Sequence, residues 1–108
     1  MIGTYPLGMQ TTTEYATRVG LVLRTARYVR EMTRESVGEG CGVNHETIAR
    51  WERADVAIPG HALSRLAEVL GLPADLLLDP PTTRSGVLVR IAAHDAMRPR
   101  SDEPRPRP

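Results

Sequence analysis

The sequence of 108 residues has no Phe, a single Trp, three Tyr and a single Cys. With so few rings, a core has to be assembled from Leu, Val, Ile and Ala, whose cohesion rests on close fit. A lone Cys excludes an intramolecular disulfide and argues against a cysteine-rich zinc site. Cys41 is therefore read as a small side chain closing a helix. No apolar run approaches the ~20 residues that cross a bilayer. The first residues also lack the charged-then-apolar layout of a secretory signal. The expectation is a cytoplasmic protein without a membrane partner. Lys is missing as well, so all fourteen basic residues are Arg.

What is present points to one small domain with a modest core. Net charge is +1, but it is unevenly spread. Residues 1–79 hold eight Arg against ten acids, a balance of −2, and residues 80–108 hold six Arg against three acids, a balance of +3. Of the nine Pro, four fall in the last ten residues. A basic excess is the usual mark of a nucleic-acid docking face, and the first 79 residues lack one.

Residues 1–10 mix Gly, Pro and Thr and read as a flexible arm. Thr11-x-x-Glu14 has the spacing of a capping box. From there Tyr15, Val19, Val22, Leu23, Ala26 and Val29 recur at helical spacing, which predicts a first helix over 12–31. Gly20 interrupts it and suits close packing against another helix. Thr33 caps a second helix over 34–41, and Gly42 stops it as a left-handed residue. Asn44 caps a third over about 45–54. Pro59 precedes or opens a fourth, whose stripe runs from Ala62 to Leu70 and ends at Gly71. Pro73, taken as a first helical residue, starts a fifth through Leu76, Leu77 and Leu78. Asp79-Pro80-Pro81 then closes a domain spanning 11–79. In the Pro/Arg-rich tail over 80–108, the apolar segment 86–93 fits a strand through Val87, Val89 and Ile91. It equally fits a helix through Leu88, Ile91 and Ala92. Arg98 to Pro108 alternates Arg, acids and Pro, with too little apolar content to fold.

The stretch from Thr33 to Glu52 is the most informative. A short polar helix start leads to Val37 and the minimal side chain of Gly38. Gly42-Val43 turns the chain, and Ile48, Trp51 and Glu52 follow Asn44 at helical spacing. Two helices crossing steeply through a short glycine turn form a helix-turn-helix, which offers its second helix to the DNA major groove.

At these residues the chain resembles the Cro/C1-type helix-turn-helix family, also called the XRE family. The resemblance runs from about Val19 to Leu78. It rests on Leu23-x-x-x-Arg27, Thr33 to Val37, Gly42-Val43, Ile48-x-x-Trp51-Glu52, Leu66-Ala67-x-x-Leu70-Gly71-Leu72 and Leu76-Leu77 in joint order. It implies an all-α fold, a compact five-helix bundle like that of the lambda repressor, which binds two-fold symmetric operators as a homodimer. By position it makes Arg27 and Glu52 an ion pair. Leu23, Val37, Gly38, Gly42, Val43, Ile48 and Trp51 become motif core. The double-stranded DNA contacts fall to Arg34, Asn44, His45, Glu46, Thr47 and Arg50. Arg34 at a helix start suits a phosphate, and Arg50 a guanine edge or a phosphate. His45 can donate or accept, Thr47 can meet a thymine methyl, and Glu46 can accept from cytosine while repelling phosphates.

Two departures matter. Gly38 stands where the family usually has Ala, and Ala54-Asp55 replaces a frequent Gly-basic pair. With the −2 balance they imply weak general affinity for DNA and a modest salt slope. Specific binding would then lean on dimerisation or on the basic tail.

Catalysis is not expected. His45-Glu46-x-x-Ala49 has only half of a zinc-protease helix motif, because position 49 is Ala. His45, His61 and His94 fall in separate elements without carboxylates at ligand spacing, so no metal or other cofactor is expected. The expected function is sequence-specific regulation of transcription, repressor-like, in the cytoplasm and on the nucleoid when DNA-bound. The rival is a protein-interaction module on the same scaffold, an antirepressor or an accessory subunit of a regulator or polymerase. The acidity of the first 79 residues favours that rival, and the tail could serve a protein partner.

Overall fold

The computed structural model describes the backbone of residues 4–97 and the side chains of residues 13–97. Residues 1–3 and the expected unfolded tail from Arg98 to Pro108 lie outside the described residues. Among the described residues six helices follow in chain order: α1 (Thr4–Val29), α2 (Arg34–Cys41), α3 (His45–Glu52), α4 (Gly60–Leu70), α5 (Ala74–Leu78) and α6 (Arg84–Met97). No strand occurs among the described residues, so the fold is all-α. No helix there is long and apolar enough to cross a membrane.

The start of α1 corrects the expected arm. The backbone is helical from Thr4, so the Thr11-x-x-Glu14 box lies inside the helix and not at its start. Pro6 does not prevent this, since it falls in the first turn, where its missing N–H has no intrahelical acceptor. No further proline follows until Pro59. At α4 and α5 the prolines precede the helices: Pro59 and Pro73 are both extended caps without a side-chain hydrogen bond.

One core joins all six helices. Val19, Val22, Leu23 and Ala26 of α1 meet Val37 of α2, then Ile48 and Trp51 of α3. Leu66 and Leu70 of α4, Leu76 and Leu77 of α5, and Val87 and Ile91 of α6 complete it. The contribution of α6 moves the domain boundary expected at Asp79. Val87 and Ile91 are four residues apart and share a helical face, so the ambiguous segment 86–93 buries both as helix. Thr83 starts that helix by accepting from Gly86 N at 3.0 Å. Arg30 of α1 then fixes the far end with a two-pronged ion pair to Asp95, at 2.7 and 2.8 Å. The same guanidinium donates to the carbonyls of Leu70 and Gly71, each at 2.8 Å, so one side chain closes the end of α4 and holds α6.

Four of the helices end in one way. The residue after the last turn adopts a left-handed conformation, and the next N–H reaches back to the carbonyl five residues earlier. The bonds are Met32 to Arg27 at 3.0 Å, Val43 to Gly38 at 2.9 Å, Asp55 to Arg50 at 2.9 Å and Leu72 to Ala67 at 2.8 Å. Two of the left-handed residues are Gly42 and Gly71, as their sequence signals predicted. The other two are Glu31 at φ 55° and Ala54 at φ 62°, where a Cβ is strained. Ala54→Gly should relieve a strain of about 1–2 kcal/mol, less the chain entropy that glycine adds. The expected outcome is a melting temperature raised by a few degrees in a thermal scan, and an unchanged or lower value would show that Ala54 is unstrained.

Candidate nucleic-acid interface

The turn between α2 and α3 is built by close approach. A Cβ placed on Gly38 would stand 2.5 Å from the backbone oxygen of Val43. Neither partner is a flexible side-chain end, so the turn can be this tight only without a side chain at 38. Gly38 is thus a requirement of this particular turn, and not merely a weaker helix former in the place of Ala. Thr33 opens α2 with reciprocal bonds: its hydroxyl accepts from Ser36 N at 3.0 Å, and Ser36 Oγ accepts from Thr33 N at 3.1 Å. Asn44 opens α3, its Oδ1 accepting from Thr47 N at 2.9 Å and from the Thr47 hydroxyl at 3.1 Å.

One side of α3 is committed to the core, where Ile48 and Trp51 are buried. Asn44, His45, Glu46 and Arg50 are exposed on the other side, and Thr47 is half-buried. Val43, the half-buried residue of the turn, packs against the core. The first turn of α3 therefore presents hydrogen-bonding groups outward from a helix whose back is anchored. Arg34 and His45 line one open cleft of about 470 Å³ together with Tyr28, Thr33 and Glu35. Arg50 is not among its lining residues.

The orientation of α3 is fixed by charge. Glu52, at its last position, is buried, and two guanidinia converge on its carboxylate. Arg27 Nε donates to Oε2 at 2.7 Å and Arg27 Nη2 to Oε1 at 3.3 Å. Arg34 Nε donates to the same Oε1 at 3.1 Å. The bond to Glu52 pushes the Arg27 guanidinium above its usual pKa, partly offset by burial. Arg27 also lies 4.9 Å from the centre of the Tyr28 ring. The pairing of Arg27 with Glu52 is the one the family resemblance implied, but it did not imply the part of Arg34 in the cluster. No local signal shows that a residue at the start of α2 reaches the end of α3. Arg34 keeps its side chain 44% exposed, so the same residue faces solvent while it braces Glu52.

Around α3 the exposed arginines stand beside carboxylates. Arg50 Nη2 is 3.9 Å from Glu46 Oε1, one turn away, and Arg53 Nε is 2.9 Å from Asp55 Oδ2. Glu46 sits in the first turn and Arg50 in the last, the favourable placement in the helix dipole. Such exposed pairs are worth under about 1 kcal/mol, so an approaching phosphate can displace the carboxylate at small cost. No group of three or more His, Cys, Asp or Glu among the described residues is placed to hold a metal ion. Cys41 is half-buried, and that burial pushes its thiol above the ordinary pKa.

A family model described as a helix-turn-helix domain matches residues 18–79, more than half of the chain. No curated protein and no solved structure matches the chain.

The buried cluster and the tight turn carry separate consequences. Removing the charge of Glu52 by Glu52→Gln leaves Arg27 buried without its counter-charge, a loss expected at about 3–5 kcal/mol. Glu39→Gln on the exposed side of α2 should cost under about 0.5 kcal/mol. Chemical denaturation of the two variants checks the difference, and equal losses would remove the cluster from its structural role. Gly38→Ala is expected to lower the melting temperature even though Ala favours helices by up to ~1 kcal/mol, because the Val43 carbonyl must move. A more stable variant would show that the turn yields freely.

Proposed function

This chain belongs to the helix-turn-helix domain family, and we propose that it is a sequence-specific regulator of transcription that binds double-stranded DNA. On this reading it is of the Cro/C1 type and places the first turn of α3 in the major groove. The observation that carries the reading is the division of α3 between its two sides. Ile48, Trp51 and Glu52 are buried, while Asn44, His45, Glu46 and Arg50 are exposed beside a turn too tight for any residue but Gly at 38. A helix so anchored offers a rigid set of donors and acceptors to base edges, where each base pair shows a distinct pattern.

The proposed mechanism is occupancy: a bound protein covers a promoter and represses it, with no catalytic step and no cofactor. Arg34 would contact a phosphate at the start of α2 while bracing Glu52, and Arg50 would reach a base edge or a phosphate after parting from Glu46. A homodimer would match a two-fold symmetric site. The protein would then reside in the cytoplasm, on the nucleoid when bound.

A second reading has its own support. The pairing of Arg50 with Glu46 and of Arg53 with Asp55 leaves little unopposed positive charge around α3. This favours a protein-interaction module, an antirepressor or an accessory subunit of a regulator or polymerase, reached through this face or the basic tail.

Random-site selection by gel shift with the purified full chain separates the two. Enrichment of one sequence family is expected. Arg50→Ala should cost about 1–3 kcal/mol against that site, or reduce the slope of log affinity against log salt by about one if it meets a phosphate. Arg34→Ala should reduce that slope by about one and also lower the melting temperature. If no sequence is enriched and neither substitution changes binding, the interaction module replaces the DNA reading.

A further inference from the structure

The groups that α3 turns outward are not equally available. Asn44 Oδ1 accepts from Thr47 N and from the Thr47 hydroxyl, which fills both of its lone pairs. Asn44 therefore cannot grip adenine with its oxygen and nitrogen together, the way an amide reads that base. What these two side chains still offer is an amide N–H₂ and a half-buried threonine methyl. His45 opens onto the cleft beside Arg34, at one edge of the helix. Arg34 and Arg53 each give Nε to a carboxylate.

Glu46 and Arg50 differ. At 3.6 residues per turn they stand about 40° apart and straddle the direction opposite Ile48, Trp51 and Glu52. Their side chains are 56% exposed for Arg50 and 68% for Glu46. Oε1 of Glu46 and Nη2 of Arg50 are 3.9 Å apart, close enough to attract but too far for a hydrogen bond. The contact thus uses up no donor of Arg50 and no lone pair of Glu46.

We infer that Glu46 and Arg50 together read one cytosine and one guanine within a single two-base-pair step of the major groove, an inference that rests on the DNA reading above. Chemistry and spacing select these bases. The guanine edge offers two acceptors, N7 and O6, to the fork of a guanidinium, whereas adenine sets an amino group beside its N7. The cytosine edge offers its N4 amino donor with no acceptor next to it, whereas a carboxylate on the adenine amino group would face the N7 lone pair. Guanine O6 and cytosine N4 of one pair are themselves hydrogen-bonded, about 2.9 Å apart, and successive pairs stack about 3.4 Å apart. An acid and a guanidinium already 3.9 Å apart span such a step without any shift of the helix. A phosphate suits Arg50 but repels Glu46, so the two side chains as a unit favour base edges over backbone. Glu46, out of place on a surface that only grips DNA, becomes the group that rejects every base but cytosine at its position.

Random-site selection with the full chain should enrich sites that hold this guanine and cytosine. With Glu46→Gln the cytosine should give way to adenine, which a glutamine grips through N6 and N7, while the guanine persists. Modified duplexes then test single atoms. N4-methylcytosine still pairs with guanine, but its methyl replaces the free N4 hydrogen that Glu46 would accept. It should weaken binding of the parent chain by at least about ten-fold, and Glu46→Ala should bind both duplexes alike. With 7-deazaguanine, which has C–H in place of N7, the parent should weaken likewise and Arg50→Ala should not discriminate. If no sequence is enriched, the DNA reading fails and this inference with it. An enriched site overturns this inference alone if it lacks the guanine and cytosine, or if its cytosine survives Glu46→Gln. Parent binding as tight to either modified duplex as to the unmodified one overturns it too.

Discussion

A carboxylate almost wholly withdrawn from water has to find its counter-charges inside the fold, and Glu52 finds two. Arg27 comes from the inner side of α1 and Arg34 from the start of α2, and both reach the end of α3. Three helices that are separate in sequence are tied at one carboxylate. The rest of the arrangement serves this meeting. A Cβ on Gly20 would stand 2.5 Å from the Glu52 carbonyl, so α1 can lie against the end of α3 only because position 20 has no side chain. Gly38 does the same for the turn at the other end of α3. The helix is thereby positioned at its start by a backbone approach, at its end by another, and in between by Ile48 and Trp51. Buried ion pairs add little net stability compared with apolar packing. What this one adds is direction, since two guanidinia on one carboxylate allow few orientations of the helix that carries it.

Much of this was legible because the signals were local. Thr33, Gly42, Asn44 and Gly71 each act on their own turn of chain, so the residue type at the position suffices to place a helix end. The pairing of Arg27 with Glu52 was legible too, through the resemblance of their spacing to a known motif. The losses have a common physical origin in groups whose partners are distant. Arg30 is unremarkable in sequence, yet it closes α4 and grips Asp95 sixty-five positions away. The segment around Val87 was ambiguous because six residues satisfy both periodicities. Only the packing of Val87 and Ile91 on α1 decides it, and that packing draws α6 into the domain. Glu31 and Ala54 occupy left-handed positions without the glycine that usually announces them. Their helices close with the same backbone hydrogen bond as the glycine-ended ones, at a strain of about 1–2 kcal/mol.

Arg34 illustrates how one residue can serve two readings. A motif comparison assigns it to DNA, and the structure gives it to Glu52. These are compatible where the side chain is half-exposed: Nε faces the carboxylate while much of the guanidinium remains open to solvent. A charge braced in this way is held in one rotamer, so a phosphate meeting it would not have to order a free side chain, an entropy of up to ~2 kcal/mol. The cost is that Glu52 partly cancels its positive field. Around α3 the same compromise recurs in Arg50 with Glu46 and Arg53 with Asp55. Each arginine is positioned by an acid and weakened by it.

On the proposed reading this compromise has a consequence for how the protein would select a site. Unopposed cations attract any duplex, and they raise affinity for wrong and right sequences alike. Cations already paired gain little from a random phosphate, because the carboxylate nearby has to be parted or repelled first. Only where base edges also satisfy Asn44, His45 and Thr47 is that parting offset. Discrimination then comes at the expense of grip, and a single copy would hold its site weakly. Two linked copies on a symmetric site would change this without any new contact from either one to DNA, since binding of the first copy sets an effective concentration for the second.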